Sequence, residues 1–544
     1  MNSKDISTAA TTLAQNPSMH PTRRRFIIGS AAVASGGLAI GLNLMPTKAM
    51  AQTVAAGDTE VNVWVVVKPD DTCVIRIARS EMGQGTRTGL AQLVAEELEC
   101  DWAKVTTESP TPGQSFARKR AWGEMSTGGS RGIRTSEDYV RRGGAVARTM
   151  LLQAAANEFG VPVAELSVSS GVITHTATGR KTSYGKVAAA AAKLTAPDAK
   201  SIQLKNPKDW KIAGKPLKRL DTADKLNGSK VFGVDLRMDG MLCAAIKDCP
   251  VFGGKLAGFD DSKVLKMRGV KAVLQVNPSA VAVVADTWWR AKTALEKLPI
   301  KWDEGPNAQA SSASIAEHLK AGLTAPGDYA GRKEGDPLAA IAGAAIKIEA
   351  TYSTPFLAHA TMEPMNCTAR ITADRAEIWV PTQNGEASHA ALAEASGLPL
   401  GQCEVYKVDL GGGFGRRGGT QDYVHQAVAI AKKFPGTPVK LMWTREEDQA
   451  HDFYRPISQC QMSGGLDANG NLVGLTVRSS GQSINAWLNP QAIKGGKDER
   501  QLQGFWKEPG DAQMGYTVPN LLTEYAIRNT HVPVGPWRGV NTNQ

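Results

Sequence analysis

Short apolar runs broken by glycine-rich stretches organise the whole chain. Residues 61–67 and 73–77 are rich in β-branched residues, and Lys68-Pro69-Asp70-Asp71 between them predicts a hairpin. Residues 90–98 read as a helix. Val140, Ala147, Leu151 and Ala155 form a helical stripe that predicts a long helix over roughly 135–159. A strand is predicted over 168–174 and an alanine-rich helix over 185–193. From Trp210 the pattern becomes a series of short β-type runs punctuated by Gly214-Lys215-Pro216, Asp221, Gly228 and Asp235. Strands over 242–246, 270–276 and 281–285 and a helix over 288–297 then complete a small α/β unit ending near Trp302. The rest predicts strands at 346–352, 376–380, 405–410 and 439–443, helices at 387–395 and 422–433, and a hairpin at Asp467-Ala468-Asn469-Gly470-Asn471. This order reads as a multi-domain α+β chain: residues 55–200, then 205–303, a connector over 304–334 with one short helix, and 335–544.

The breaks carry the candidate chemistry. Gly411-Gly412-Gly413-Phe414-Gly415-Arg416-Arg417-Gly418-Gly419 lies between a predicted strand and a predicted helix. Glycine lets the backbone approach a ligand closely, and the two arginines offer forks for an anion, which is the layout of a phosphate cradle. No Gly-Lys-Ser/Thr closes it as a Walker loop would. A tight turn with solvated arginines is the alternative. Another loop, Glu81-Met82-Gly83-Gln84-Gly85-Thr86-Arg87-Thr88-Gly89, includes Gln84, which offers donor and acceptor together. A further loop, Ser126-Thr127-Gly128-Gly129-Ser130-Arg131-Gly132, offers hydroxyls and backbone amides. Three such loops, each read as lying beside a strand and a helix, argue for one large shared ligand.

Composition narrows the classes. With 544 residues and 42% hydrophobic content the chain can bury a sizeable core. The net charge is +11, but Lys4, Arg23, Arg24, Arg25 and Lys48 stand in the first 51 residues against only Asp5. The remaining excess is spread out and forms no basic stripe interleaved with aromatics, so nucleic-acid binding is rejected. Thr22-Arg23-Arg24-Arg25-Phe26-Ile27, a Gly/Ala-rich apolar stretch and Ala49-Met50-Ala51 predict a twin-arginine signal over 1–51 and a mature start at Gln52. A membrane anchor is the other reading. Export of a folded protein implies a cofactor loaded beforehand, and a periplasmic address follows. The seven cysteines contain no C-x-x-C pair and the eight histidines no metal-ligand spacing, so no metal ligand is assigned. Cys243 and Cys249 are the closest pair in sequence, but most of the thiols read as small buried hydrophobes.

Taken together, Glu81-Met82-Gly83-Gln84-Gly85, Thr127-Gly128-Gly129-Ser130, Gly214-Lys215-Pro216 through Asp235, Pro381-Thr382-Gln383-Asn384, Gly411-Gly412-Gly413-Phe414-Gly415 and Trp537-Arg538-Gly539 resemble the molybdenum-binding large subunits of the xanthine oxidase superfamily. The branch is that of isoquinoline 1-oxidoreductase β subunits and membrane-linked aldehyde dehydrogenases, because the first two motifs precede the small "hammerhead" segment. The resemblance implies a molybdopterin-binding subunit with that hammerhead-like domain inserted between its cofactor-binding parts. It implies that Gly83, Gln84, Gly129 and Ser130 hold the pterin and its phosphates, and that Gln383 hydrogen-bonds an oxo ligand. Gly413, Phe414 and Gly415 would then lie against the metal's apical side, with Gly412 also binding the cofactor and Arg538 near the metal centre and dithiolene. The cofactor implied is molybdopterin cytosine dinucleotide with molybdenum. With no cluster motif here, [2Fe-2S] clusters are expected on a small iron–sulfur subunit, with a c-type cytochrome beyond it and peripheral membrane association at the outer face of the inner membrane.

Two departures qualify the resemblance. Arg416-Arg417-Gly418 stands where xanthine oxidases carry a lysine and a purine-gripping glutamate, which argues against purine recognition. The family's base glutamate is expected beyond Gln544, so no catalytic residue is assigned in this chain, and Glu363 reads more often as a structural acceptor than as a substitute. The activity implied is hydroxylation of an aldehyde or of a ring carbon beside nitrogen, with water as oxygen source. A cofactor-binding or assembly subunit without turnover is the rival from another class.

Overall fold

The computed structural model describes residues 57–325, 330–498 and 516–540, all within one compact unit, Ala39–Gln544. The twin-arginine and cleavage motifs lie outside the described residues.

The first part packs a four-stranded sheet, Thr59–Glu60, Val65–Val67, Cys73–Arg76 and Val105–Glu108 in that order, against two helices. Cys73–Arg76 and Val105–Glu108 run parallel, with the helix Thr86–Leu98 as their crossover. The long helix Glu137–Phe159 carries Glu137 and Asp138 in its first turn, where the helix dipole favours them, and stops at Gly160 in a left-handed conformation. A Cβ on Gly144 would overlap the Val94 carbonyl, so this glycine sets the close crossing of the two helices. Their shared core includes Leu90, Val94, Leu98, Val140, Ala147 and Leu151. Residues 168–174 are two strands rather than one. Leu166–Ser169 and Val172–His175 turn back at Ser170 and Gly171, both with positive φ.

The centre of the molecule is a seven-stranded sheet. Its order is Val270–Asn277, Ala280–Ala285, Leu242–Asp248, Val439–Met442, Asn366–Ile371, Ala376–Val380 and Cys403–Lys407. Ala280–Ala285 (AVAVVA) is wholly buried, as a strand covered on both faces should be. Leu242–Asp248 pairs in parallel with Val439–Met442, so residues 205–303 share one sheet with the later segment. A change of pattern near residue 303 is thus not a break in the sheet. The helices Gly385–Ser396 and Asp422–Ala431 cover one face, and Trp288–Glu296 the other.

The connector also joins a sheet. Its helix Ser312–Thr324, capped by Ser311, packs on a five-stranded sheet whose edge strand is Ala330–Glu334, followed by Leu521–Ile527, Leu472–Gly481, Ser458–Leu466 and Ile346–Thr354. All seven cysteines are buried free thiols, Cys243 and Cys249 included. No helix among the described residues is long and apolar enough to cross a membrane.

Candidate functional site

The three glycine loops converge. In chain order the first loop is 81–89, the second 126–132 and the third 411–419; Ser80 donates its amide to Thr127 Oγ1 at 2.9 Å, joining the first to the second. Leu410 donates to the Glu81 carbonyl at 3.3 Å, and Arg87 pairs with Asp409, joining the first to the third. Gln383 ties the second to the third. Its Nε2 donates to the Thr127 carbonyl and its Oε1 accepts from the Gly415 amide, both at 2.9 Å. Its backbone carbonyl accepts from Thr127 at 2.7 Å and its own amide donates to Arg417 O at 2.9 Å. Gln383 can sit here because Asn384 caps the helix Gly385–Ser396, accepting from Ala387, and so ends the strand before it.

The first loop is built differently from the expectation. Its amides do not await a phosphate. The buried Glu81 carboxylate accepts from Gly83 at 2.8 Å, Gly85 at 3.0 Å and Arg87 at 3.0 Å, with Arg219 at 3.3 Å. Gln84 is also committed: its Nε2 donates to Ser80 O and Thr86 Oγ1, and its Oε1 accepts from Met82. The physical reason is local, since a carboxylate two to six residues from its donors fills the nest. Gly83 still borders open space, with nothing within 4 Å of where a Cβ would stand.

The two arginines are likewise not forks for an outside anion. Arg416 is 1% exposed, paired with Asp422 at 2.7 Å and Asp452 at 2.9 Å, and framed by Tyr423, Trp443 and Phe453. Arg417 is fully buried and donates to the carbonyls of Pro381, Glu363 and Pro364. A buried guanidinium needs internal acceptors, and this one has three. The second loop also departs from its expected setting: an isolated bridge, Ser126 with Asn384, stands at its start instead of a strand.

What the loops offer a ligand is backbone. Within the described residues the amides of Gly128, Gly129, Ser130, Gly412, Gly413 and Phe414 make no hydrogen bond. Gly129 and Ser130 are consecutive left-handed residues, and exposed Phe414 is left-handed too, at φ 54°. Non-glycine residues seldom adopt that conformation, and Gly413, whose amide is among the six, is buried. This donor set suits an extended anionic ligand with many acceptor oxygens, as a pterin dinucleotide is. Among the described residues no group of His, Cys, Asp and Glu is arranged to hold a metal directly, so a metal here would need its ligands from the cofactor.

Glycines at the third loop permit close approach by the protein itself. A Cβ on Gly413 would overlap Gln383 Oε1, and one on Gly415 would overlap the Pro536 carbonyl oxygen. The 536–539 segment, with exposed Arg538, is therefore packed beside the loop although more than a hundred residues separate them. Glu363 is buried. Its carboxylate accepts from Gly411 at 2.8 Å, Asn366 at 3.0 Å and Val234 at 3.2 Å, so it braces the loop. Sequence reasoning missed His359 and Asp452. His359 Nδ1 lies 2.9 Å from the Asp452 carboxylate and Nε2 3.0 Å from Pro536 O. One signal was present, a histidine between apolar runs, but its partner stands 93 residues away.

Convergent glycine loops presenting backbone donors on an α+β scaffold define a nucleotide-type cofactor-binding protein. Two family models, each described as a molybdopterin cofactor-binding domain, match residues 23–235 and 323–483, together more than half of the chain. The chain belongs to the molybdenum-binding large subunits of the xanthine oxidase family. It is 28% identical over 468 residues to a membrane-bound aldehyde dehydrogenase [pyrroloquinoline-quinone] of Gluconacetobacter polyoxogenes, covering 84% of this chain and 59% of that protein. It is 27% identical over 549 residues to isoquinoline 1-oxidoreductase subunit beta of Brevundimonas diminuta, covering 90% and 68%. Thus it spans about six-tenths to two-thirds of these relatives' lengths. Among solved structures, quinoline 2-oxidoreductase of Pseudomonas putida 86 aligns with TM-score 0.46 and 18% identity over 58% of this chain and 44% of that one.

Proposed function

We propose that this chain is the molybdopterin-binding subunit of an oxidoreductase that hydroxylates an aldehyde, or a ring carbon beside nitrogen in an N-heterocycle, with water as oxygen source. The observation that carries the reading is the junction at Gln383, which draws the second and third loops together and leaves six backbone amides without a partner among the described residues. Bound molybdenum supplies the two-electron oxidation that no side chain here can perform. The amides of Gly128, Gly129 and Ser130 would hold pterin phosphates, and those of Gly412, Gly413 and Phe414 the end nearest the metal. Gln383 retains one N–H and one lone pair beyond its two loop bonds, enough to orient an oxo ligand. Arg538 stands at the same end. Gly83 contributes open backbone, whereas Gln84 acts through the shape of its loop rather than by touching the pterin.

The names of the two relatives support the substrate classes, an aldehyde and a nitrogen heterocycle, without separating them. The cytosine dinucleotide form, an iron–sulfur subunit as electron acceptor, a c-type cytochrome beyond it, and twin-arginine export to the periplasm with peripheral membrane association complete the proposal. A second reading is favoured by one relative's printed name, which specifies pyrroloquinoline-quinone. Elemental analysis and cofactor extraction of protein purified from its own host decide between them. We expect about one molybdenum per polypeptide and a pterin, as one shared site implies. Extracted quinone without molybdenum would overturn the molybdenum reading. Full molybdenum with no turnover on an aldehyde and N-heterocycle panel, in the presence of the electron-accepting subunit, would establish a subunit without turnover.

A further inference from the structure

We propose that His359 is a positioning residue: as an imidazolium held by Asp452, it latches the Pro536 carbonyl and so fixes the 536–539 segment, with Arg538, beside the glycine loop. The latch gains its catalytic meaning from the cofactor reading above.

Both ring nitrogens of this buried histidine face groups that only accept. Nδ1 lies 3.0 and 2.9 Å from the two Asp452 oxygens, and the His359 backbone amide also donates to that carboxylate. Nε2 lies 3.0 Å from the Pro536 carbonyl oxygen. A neutral imidazole has one donor and one lone pair, so it would set that lone pair against a carboxylate or a carbonyl. Two acceptors require two ring protons, and hence a cation.

The surroundings hold that charge. Asp452 is 1% exposed; burial pushes its carboxyl up, but the His359 bonds and the Arg416 charge outweigh burial and keep it below its ordinary value, as the carboxylate. Arg416 Nε reaches Asp452 at 2.9 Å, and its other nitrogens reach Asp422 and Thr420. Asp448 also faces this group. A continuous buried chain therefore runs from Asp422 through Arg416, Asp452 and His359 to the backbone of residue 536.

That chain passes through the glycine loop at Arg416 and ends on the segment it must hold. Gly415, just before Arg416, is where a side chain would collide with the Pro536 carbonyl. Two flanking contacts steady the segment: Trp537 Nε1 donates to Ala358 O at 3.3 Å, and Arg455 lies 5.9 Å over the Trp537 ring. Gly535 also packs on Phe453. Among the described residues only the His359 bond reaches Pro536 itself, two positions before Arg538.

The test uses the full chain and three readouts. In protein labelled with ¹⁵N-histidine, the wild type should show a ring with both nitrogens protonated, a signature lost in His359→Gln. In Asp452→Asn the same ring should show one bare nitrogen. Trypsin should cut after exposed Arg538 about tenfold faster in both variants than in wild type, relative to the cut after exposed Arg268, as losing a charge-assisted buried bond implies. Both variants should also retain less molybdenum. A neutral His359 ring in the wild type, or unchanged cleavage at Arg538 in variants of native circular dichroism, would overturn the proposal. If His359→Gln does not fold, the wild-type spectrum and Asp452→Asn decide. The first two readouts need no cofactor, so a latch found intact in a molybdenum-free protein would sink the function proposed above and leave the latch standing.

Discussion

Gln383 concentrates in one side chain what the three loops need from each other. Its amide meets both sides with no spare group of the protein able to replace it, since Thr127 O and Gly415 N-H face it alone through side-chain bonds at 2.9 Å. Gln383→Ala should cost about 1–3 kcal/mol, the penalty for leaving buried partners unpaired, and should lower molybdenum retention. Urea midpoints with metal analysis would check it, and an unchanged midpoint would show that the loops stand without the junction. The same scale explains why Glu81, Arg416 and Arg417 all turn inward. Charge type suggests an external ligand, but each of these groups finds its counter-group inside the fold. Glutamate in a glycine loop can bind the loop's own amides, and arginine after it can brace carbonyls.

At the scale of elements, the short helix Arg445–Ala450 ties the central sheet to its neighbours through a buried acid–base cluster at its end. His451 Nδ1 meets Glu447 at 3.0 Å and Nε2 donates to the Cys249 carbonyl at 2.9 Å, while Glu447 accepts from the Asp248 amide at 2.8 Å. Burial opposes the charge on His451, but the bond and charge of Glu447, with Asp248 behind, raise it to about 9. Asp248 is itself raised to about 6, chiefly by burial. An imidazole whose folded value exceeds its unfolded one stabilises fully below about pH 6.5 and loses that stabilisation as pH rises through about 9. The wild type should therefore exceed His451→Asn in stability by roughly 2–4 kcal/mol at about pH 6, with the gap mostly gone by about pH 10. Urea titrations of both proteins at the two pH values measure this, and a gap that does not narrow would remove the ion pair from the account. Elements that follow local rules were legible: the helix Asp422–Ala431 falls within its expected range, and the hairpin at 467–471 joins its two strands as read. The pair Leu166–Ser169 and Val172–His175 was not, because Ser170 takes a left-handed conformation that its side chain does not advertise.

Across the whole molecule, the parallel pairing of Leu242–Asp248 with Val439–Met442 makes residues 205–303 part of the framework that carries the later glycine loop. The alternating punctuation after Trp210 reads as a separate unit because its strands are short and locally hairpin-connected, whereas the joining strand lies nearly two hundred residues downstream. Amides of Leu242–Asp248 and Val439–Met442 should exchange with deuterium at matching free energies, as members of one cooperative unit. Hydrogen-exchange mass spectrometry checks this, and early exchange of the first strand alone would mean that the earlier segment opens independently. The central position of the shared sheet also explains how a loop at 411–419 keeps a fixed relation to residues far upstream: Arg87 reaches Asp409 across 322 positions and Gln383 reaches Thr127 across 256.

Sequence by itself determined the α+β class, most of the strands and helices, the three glycine loops and the family, because periodicity and glycine content act over a few neighbouring residues. Tertiary structure alone decided which loop amides are left without a partner among the described residues, which charges turn inward, and that His359, Asp452 and Pro536 form one chain. These outcomes depend on which distant group supplies the nearest acceptor once water is excluded, and that is a property of the folded interior rather than of any stretch of sequence.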